Sequence, residues 1–141
     1  MVDRMVATGR LGRVPANPDR AHALLAQATR HLASAAELQN SDPPLAYVAL
    51  YDAARKAILA HMLANGLRET ARPGAHQAVV EYGQAVLVDH DSSEALLRLD
   101  RLRRNRNRSE YESWEPTAEM LASDLKHAAA IVDLVAALLS P

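Results

Sequence analysis

Apolar side chains recur every three to four residues along most of the chain, which is the spacing of amphipathic helices. The first run starts after Asn17 and continues to about Asn40, and the most apolar run extends from Leu45 to Asn65. Three later runs cover about residues 75–90, 93–110 and 118–139. No segment shows the period of two that is typical of a strand. The sequence therefore predicts an all-α fold, a five-helix antiparallel bundle without a sheet.

Residues with a side-chain oxygen mark the starts of four of these helices, because such an oxygen can accept a hydrogen bond from an unpaired backbone N–H group of the first turn. These caps are Asn17, Asp42, either Asp91 or Ser92, and Thr117. Gly66 follows the second helix, where a glycine in the left-handed conformation commonly ends a helix. We expect the first two helices to form an antiparallel hairpin.

The 141 residues are enough for one domain with a substantial core. Hydrophobic residues make up 49% of the chain, yet it has no phenylalanine and only one tryptophan. The core must therefore consist of alanine, leucine and valine, which suits closely packed helices. Residues 1–16 contain two glycines and a proline without a sustained period, and we expect them to form a flexible N-terminal arm. We predict that residues 17–141 form a single helical domain.

Several chemistries are excluded by residue type and spacing. The chain has no cysteine, so it can form neither disulfides nor thiolate metal sites. Its six histidines show no metal-binding spacing, and it has no glycine-rich phosphate loop, so we expect no metal and no cofactor. No apolar run approaches the roughly 20 residues that span a bilayer. Without a secretory signal at the N-terminus, the sequence indicates a cytoplasmic protein with no membrane partner.

Six arginines crowd the segment 98–108, in a chain whose formal net charge is only −1. On a helix, Leu99 and Leu102 share one face with Arg106, so this arginine continues an apolar stripe. Burial of an unpaired charge is costly, so we expect Arg106 to be largely buried and held by hydrogen bonds, for example by Glu110 one turn later. Three other arginines turn away from that stripe and are interpreted as solvated or facing a partner; they are Arg101, Arg104 and Arg108.

Four segments taken together resemble a known family. They are Tyr47-x-x-x-Tyr51-Asp52-Ala53-Ala54-Arg55-Lys56-Ala57, the helix end Ala64-Asn65-Gly66-Leu67, a loop with His76, and Arg106-Asn107-Arg108-Ser109-Glu110-Tyr111. In this order they are similar to a HEPN domain, over about residues 19 to 139. The family signature is an arginine, a polar residue and a histidine four to six residues after the arginine. Here Tyr111 stands where the histidine is expected.

The resemblance implies a small all-α bundle, often dimeric, of a kind found among ribonucleases and among toxins paired with nucleotidyltransferase-type antitoxins. It implies a homodimer, RNA as a partner, and a site in which Arg106 binds phosphate, Asn107 orients it, and Tyr111 orients the substrate or acts as an acid. Phosphate or nucleic-acid binding is further assigned to Arg103, Arg104 and Arg108. Supporting positions are Glu110, Tyr51 and His76, the last being either a proton donor or a surface histidine.

The missing histidine leaves three functions open. The first is RNA or nucleotide binding with weak metal-independent ribonuclease or toxin-type activity. Tyrosine, with an ordinary pKa of about 10, is a poor proton shuttle at neutral pH, so the residues leave open whether the chain is an enzyme. The second is a non-catalytic HEPN dimer that serves as a protein-interaction module, in which Arg106 pairs with Glu110 or with a partner. The third is a bundle whose arginines only face solvent.

Overall fold

The computed structural model describes residues 1–87 and 93–140. These residues form seven α-helices and one two-stranded sheet. The helices are α1 (Val2–Ala7), α2 (Pro18–Leu38), α3 (Pro43–Ala64), α4 (Ala75–Leu87), α5 (Ser93–Leu97), α6 (Leu99–Tyr111) and α7 (Ala118–Leu139). The strands are β1 (Leu11–Arg13) and β2 (Leu67–Glu69). The predicted all-α class is confirmed, with a small sheet added.

The three longest helices begin at the predicted caps. Asn17 Oδ1 accepts a hydrogen bond from the Arg20 backbone N–H at 3.1 Å, and Asp42 and Thr117 cap α3 and α7 in the same way. Each cap contributes on the order of 1 kcal/mol to helix stability. The fourth predicted cap, at Asp91 or Ser92, lies outside the described residues.

Helix α3 lies at the centre of the fold. It packs against α2 in an antiparallel hairpin and also contacts α7, α6 and α4. Alanines at the helix contacts, such as Ala28 in α2 and Ala53 and Ala57 in α3, are fully buried and allow the backbones to approach closely. The large buried side chains of α3 include Tyr47 and Tyr51. No helix in the described part of the chain is both long and apolar enough to cross a membrane.

The N-terminal residues differ from the expected flexible arm. They form α1 and β1, and Met5 and Leu11 are both buried in the core. Strand β1 pairs antiparallel with β2, with Gly12 opposite Arg68, so the prediction of no sheet is wrong. A three-residue strand is too short to show a period, and its partner lies more than fifty residues later. Pattern analysis of a local window therefore could not detect this pairing.

The arginine-rich segment is also not one continuous helix. Arg98 lies in a turn between α5 and α6, where its backbone N–H bonds to the carbonyls of Glu94 and Ala95. Leu96 and Leu99 are both buried on either side of this turn. The segment contains no glycine or proline that would have indicated the break. Because of this break, α6 begins as a separate helix at Leu99, and α6 carries the candidate site.

Candidate functional site

An open groove of about 380 Å³ lies between α6 and the start of α4. Four residues that the sequence singled out, Arg103, Arg106, Asn107 and Tyr111, line it from α6. His76 lines it from the first turn of α4, and the preceding loop adds Arg72 and Gly74. The structure thus brings together residues that are about 30 positions apart in the sequence.

Arg106 is the most buried cation of this groove, with a side chain only 15% exposed. Its Nη1 lies 2.6 Å from Glu110 Oε2, one turn later on α6, which is the pairing expected from the sequence. The Glu110 side chain is 40% exposed, so this ion pair is only partly shielded from water. Arg106 Nε is buried and has no hydrogen-bond partner among the described residues, so one donor of the guanidinium group is unused.

Arg103 is held in a similar manner. Its Nε and Nη2 both donate to Asp100 Oδ1, at 3.0 and 2.9 Å. A guanidinium group fixed by a carboxylate on its own helix loses less side-chain entropy when it binds an anion. The groove therefore contains two oriented cations, Arg103 and Arg106, together with the more exposed Arg72.

His76 and Tyr51 lie next to each other at the inner side of the site, with ring centroids 6.0 Å apart. Burial lowers the pKa of His76 below 6.5, and the nearby positive charges of Arg55 and Arg106 lower the pKa further. A histidine with a lowered pKa is neutral at neutral pH, so its unprotonated ring nitrogen can accept a proton or a hydrogen bond.

Tyr51 is fully buried, and its hydroxyl has no hydrogen-bond partner in the described part of the chain. Burial raises its pKa to about 12, although Arg55, Arg103 and Arg106 act in the opposite direction. The hydroxyl is therefore protonated at neutral pH and remains a donor. A buried polar group without a partner is costly and is commonly associated with a functional site.

Tyr111, unlike the fully buried Tyr51, has 77% of its surface exposed. It lies at the last residue of α6 and at the rim of the groove. An exposed aromatic ring beside cations can stack on a nucleobase or on another protein. Asn107 is half-buried beside it and offers an amide donor and acceptor.

Two of the assigned phosphate-binding residues do not line the groove. Arg104 is 66% exposed and lies 3.4 Å from Asp100 Oδ2. Arg108 packs over the ring of Trp114, 4.8 Å from its centroid, and pairs with Glu112. Both belong to the faces of α6 that turn away from the apolar stripe. A role for them in this groove is therefore not supported.

Sequence reasoning missed a buried polar network behind α6. Asp124 of α7 is fully buried, accepts a 2.6 Å hydrogen bond from the Tyr47 hydroxyl and pairs with Arg101. Asn105 Nδ2 donates to the same Tyr47 oxygen at 3.2 Å. The interpretation of Arg101 as solvated or partner-facing is corrected by this ion pair. Asp124 lies on the inward stripe of α7, three residues after Leu121, and this position was the signal that could have revealed it.

This network links α3, α6 and α7. Asn105, which it holds, directly precedes Arg106 on α6. The rotation of α6 about its own axis, which decides whether Arg103 and Arg106 face the groove, is therefore fixed by buried hydrogen bonds as well as by Leu99 and Leu102.

The described residues contain no cluster of three or more histidine, aspartate or glutamate side chains suited to a metal ion. The groove instead offers cations, one imidazole and the ring of Tyr111. This set can bind an anion and can accept a proton. Comparisons with protein-family models, with curated proteins and with solved structures find no match to this chain.

Proposed function

We propose that this protein is a HEPN-like RNA-binding protein, and that RNA phosphate binds in the groove between α4 and α6. The observation that carries the proposal is the position of Arg103, Arg106 and Arg72 around one groove that no carboxylate among the described residues lines. Arginine binds phosphate through paired N–H donors, and Arg103 and Arg106 both bring guanidinium groups to the lining of this groove.

Single-stranded RNA suits this groove better than a duplex. Phosphate binding by the arginines leaves the neighbouring base free to stack on the exposed ring of Tyr111. Asn107 can hydrogen-bond a base edge or a ribose hydroxyl from the same side. Each stacked base contributes roughly 1–3 kcal/mol to binding, independent of sequence.

Weak metal-independent ribonuclease or toxin-type activity is a further part of the proposal. Tyr111 replaces the histidine of the family signature, but His76 brings an imidazole to the same groove from α4. Its lowered pKa favours the neutral form, which can accept a proton from a ribose 2′-hydroxyl as that oxygen bonds to phosphorus. The bond from phosphorus to the 5′-oxygen then breaks, the 5′-oxygen takes a proton from water, and Arg106 stabilises the negative charge on the phosphoryl oxygens.

The proposed assembly is a homodimer in which the two α6 helices approach one another. The exposed Tyr111 and the half-exposed Leu45 support it. Leu45 lines a second shallow depression together with Ser109 and Glu110 of α6, so apolar surface borders the end of this helix. Light scattering should give twice the monomer mass, and a monomer at high micromolar concentration would contradict this assembly.

One observation favours a second function, a non-catalytic HEPN dimer that acts as a protein-interaction module. The ion pair of Arg106 with Glu110 offsets part of the positive charge that phosphate would require. In that case the partner would be a protein, such as a nucleotidyltransferase-type antitoxin, and RNA would bind only weakly.

Titration of a fluorescein-labelled single-stranded RNA at several salt concentrations separates the two functions. Three phosphate contacts predict that the logarithm of the affinity falls with a slope of about −2 against the logarithm of salt concentration, at about 0.7 per contact. Incubation of the same RNA in a metal chelator tests cleavage. Saturable, salt-dependent binding supports the RNA-binding proposal, whereas no binding at low salt leaves the interaction module as the better account.

A further inference from the structure

A second groove, which the proposed function does not use, lies between the start of α2, the second half of α3 and β2. Two adjoining depressions of about 280 and 440 Å³ share Arg20, Leu63 and Arg68 and so form one continuous trough. Its floor is apolar and includes Leu24, Leu59, Leu63 and Leu67, together with Val14 and Pro15 of the segment before α2.

The rim of this trough is strongly basic. Arg20, Arg55, Lys56 and Arg68 line it, against the single carboxylate of Glu69. Glu69 pairs with Arg55 at 3.4 Å. Arg20, Lys56 and Arg68 form no ion pair within residues 1–87 and 93–140. Three positive charges beside an apolar floor thus remain uncompensated.

Lys56 is positioned for an incoming anion. Its Nζ donates to Gln27 Oε1 at 3.0 Å and lies 2.8 Å from His31 Nε2. A protonated lysine can only donate, so His31 accepts with a neutral ring. Burial and the adjacent Lys56 charge lower the pKa of His31, in agreement with this arrangement. The ammonium group is therefore fixed by two neutral acceptors, and it forms no ion pair within the described residues.

The lining decides which class of ligand fits. None of the described residues that line the trough is aromatic, so it offers no ring on which RNA bases could stack. Small-molecule sites usually enclose most of the ligand, whereas this trough is open along its length. Its concave shape does not suit the flat surface of a bilayer. A peptide chain matches both the apolar floor and the basic rim of the trough, because its apolar side chains can fill the floor while its carboxylates face the rim.

We propose that this trough binds an acidic peptide segment of another protein, with leucine-like side chains on the floor and aspartate or glutamate side chains at Arg20, Lys56 and Arg68. The charge complementarity of the three uncompensated cations carries the proposal. The site is separate from the groove at Arg106 and does not depend on the function proposed there.

The test uses a fluorescein-labelled peptide of about 15 residues that alternates glutamate with leucine, with binding followed by fluorescence anisotropy. We expect saturable binding with a Kd in the micromolar range, typical of a short linear segment. Peptides with lysine for glutamate, or with serine for leucine, should bind at least about tenfold more weakly, because one loses the charge match and the other the apolar contacts.

Charge reversals locate the site. Arg20→Glu and Arg68→Glu, both at exposed positions, should each weaken peptide binding about tenfold or more. Arg30→Glu is the matched control, since Arg30 is exposed on the same helix as Arg20 but does not line the trough. It should change the affinity less than twofold, and all three variants should keep the circular dichroism spectrum of the parent.

Three results would overturn the proposal. The first is an absence of saturable peptide binding at low salt. The second is an equal loss of affinity in Arg20→Glu, Arg68→Glu and Arg30→Glu, which would indicate attraction to overall charge. The third is a change in oligomeric state on reversal of Arg20 or Arg68, since a second copy of this chain would then be the occupant.

Discussion

The hydroxyl of Tyr47 donates a 2.6 Å hydrogen bond to Asp124, and both residues are fully buried. Because Tyr47 belongs to α3 and Asp124 to α7, this bond joins the central helix to the last one. Arg101 and Asn105 of α6 complete the network. Burial of the Tyr47 ring and its bond to Asp124 both raise the pKa of the hydroxyl, so it stays protonated and remains the donor.

Asp124→Ala should therefore destabilise the fold by about 2–4 kcal/mol. The substitution leaves the buried Tyr47 hydroxyl without its acceptor and removes the partner of Arg101, which is itself partly exposed. Urea denaturation measures the change. Asp133→Ala, an exposed position on the same helix, is the matched control and should change stability by less than about 0.5 kcal/mol. Equal effects of the two substitutions would show that the network contributes no stability.

Tyr51→Phe should raise the stability of the fold, in contrast to Asp124→Ala. The Tyr51 hydroxyl is buried without a hydrogen-bond partner in the described part of the chain, so its removal should stabilise the protein by up to about 1 kcal/mol. If the hydroxyl serves the groove, the more stable variant should bind RNA more weakly. Thermal denaturation and RNA titration on the same sample check both outcomes. A clear loss of stability would show that the hydroxyl has a partner in the folded protein.

The lowered pKa of His76 predicts how stability depends on pH. Burial and two arginines disfavour the protonated ring in the folded state, whereas the unfolded chain protonates near pH 6.5. The stability associated with neutral His76 is therefore present above about pH 6.5 and is lost as the pH falls through the lower pKa of the folded state.

His76→Gln should lose less stability than the parent between about pH 7 and about pH 5. His31 and His127 also have lowered pKa values in both proteins, so only the difference between the two curves reports on His76. Parallel curves over this range would contradict the lowered pKa.

The features that local sequence determines were predictable. Asn17, Asp42 and Thr117 start helices because a side-chain oxygen within reach of the first turn has the same effect in any fold. Placement of Arg106 next to Leu99 and Leu102 on a helical stripe was enough to predict its burial and its pairing with Glu110. Both inferences need only the helical period and residue type.

The features that depend on distant partners were not predictable. The pairing of β1 with β2, and the burial of Met5 and Leu11, depend on contacts with residues far along the chain. The turn at Arg98 has no local breaker residue. The periods of α4 and α6 do not show that His76 and Arg106 share a groove, because that depends on how the two helices cross. The resemblance suggested both residues, and the fold places them together.

Phosphate binding by Arg106 is tested most directly by the RNA affinity of Arg106→Ala compared with that of Arg104→Ala. Both variants remove one positive charge from α6, but only Arg106 lines the groove. Because Glu110 stays partly exposed, loss of the ion pair should cost only about 1 kcal/mol of stability, so Arg106→Ala should remain folded. If Arg106 binds phosphate, we expect at least about a tenfold loss of single-stranded RNA affinity for Arg106→Ala and at most about a twofold loss for Arg104→Ala. Equal affinities of the two variants would contradict phosphate binding by Arg106.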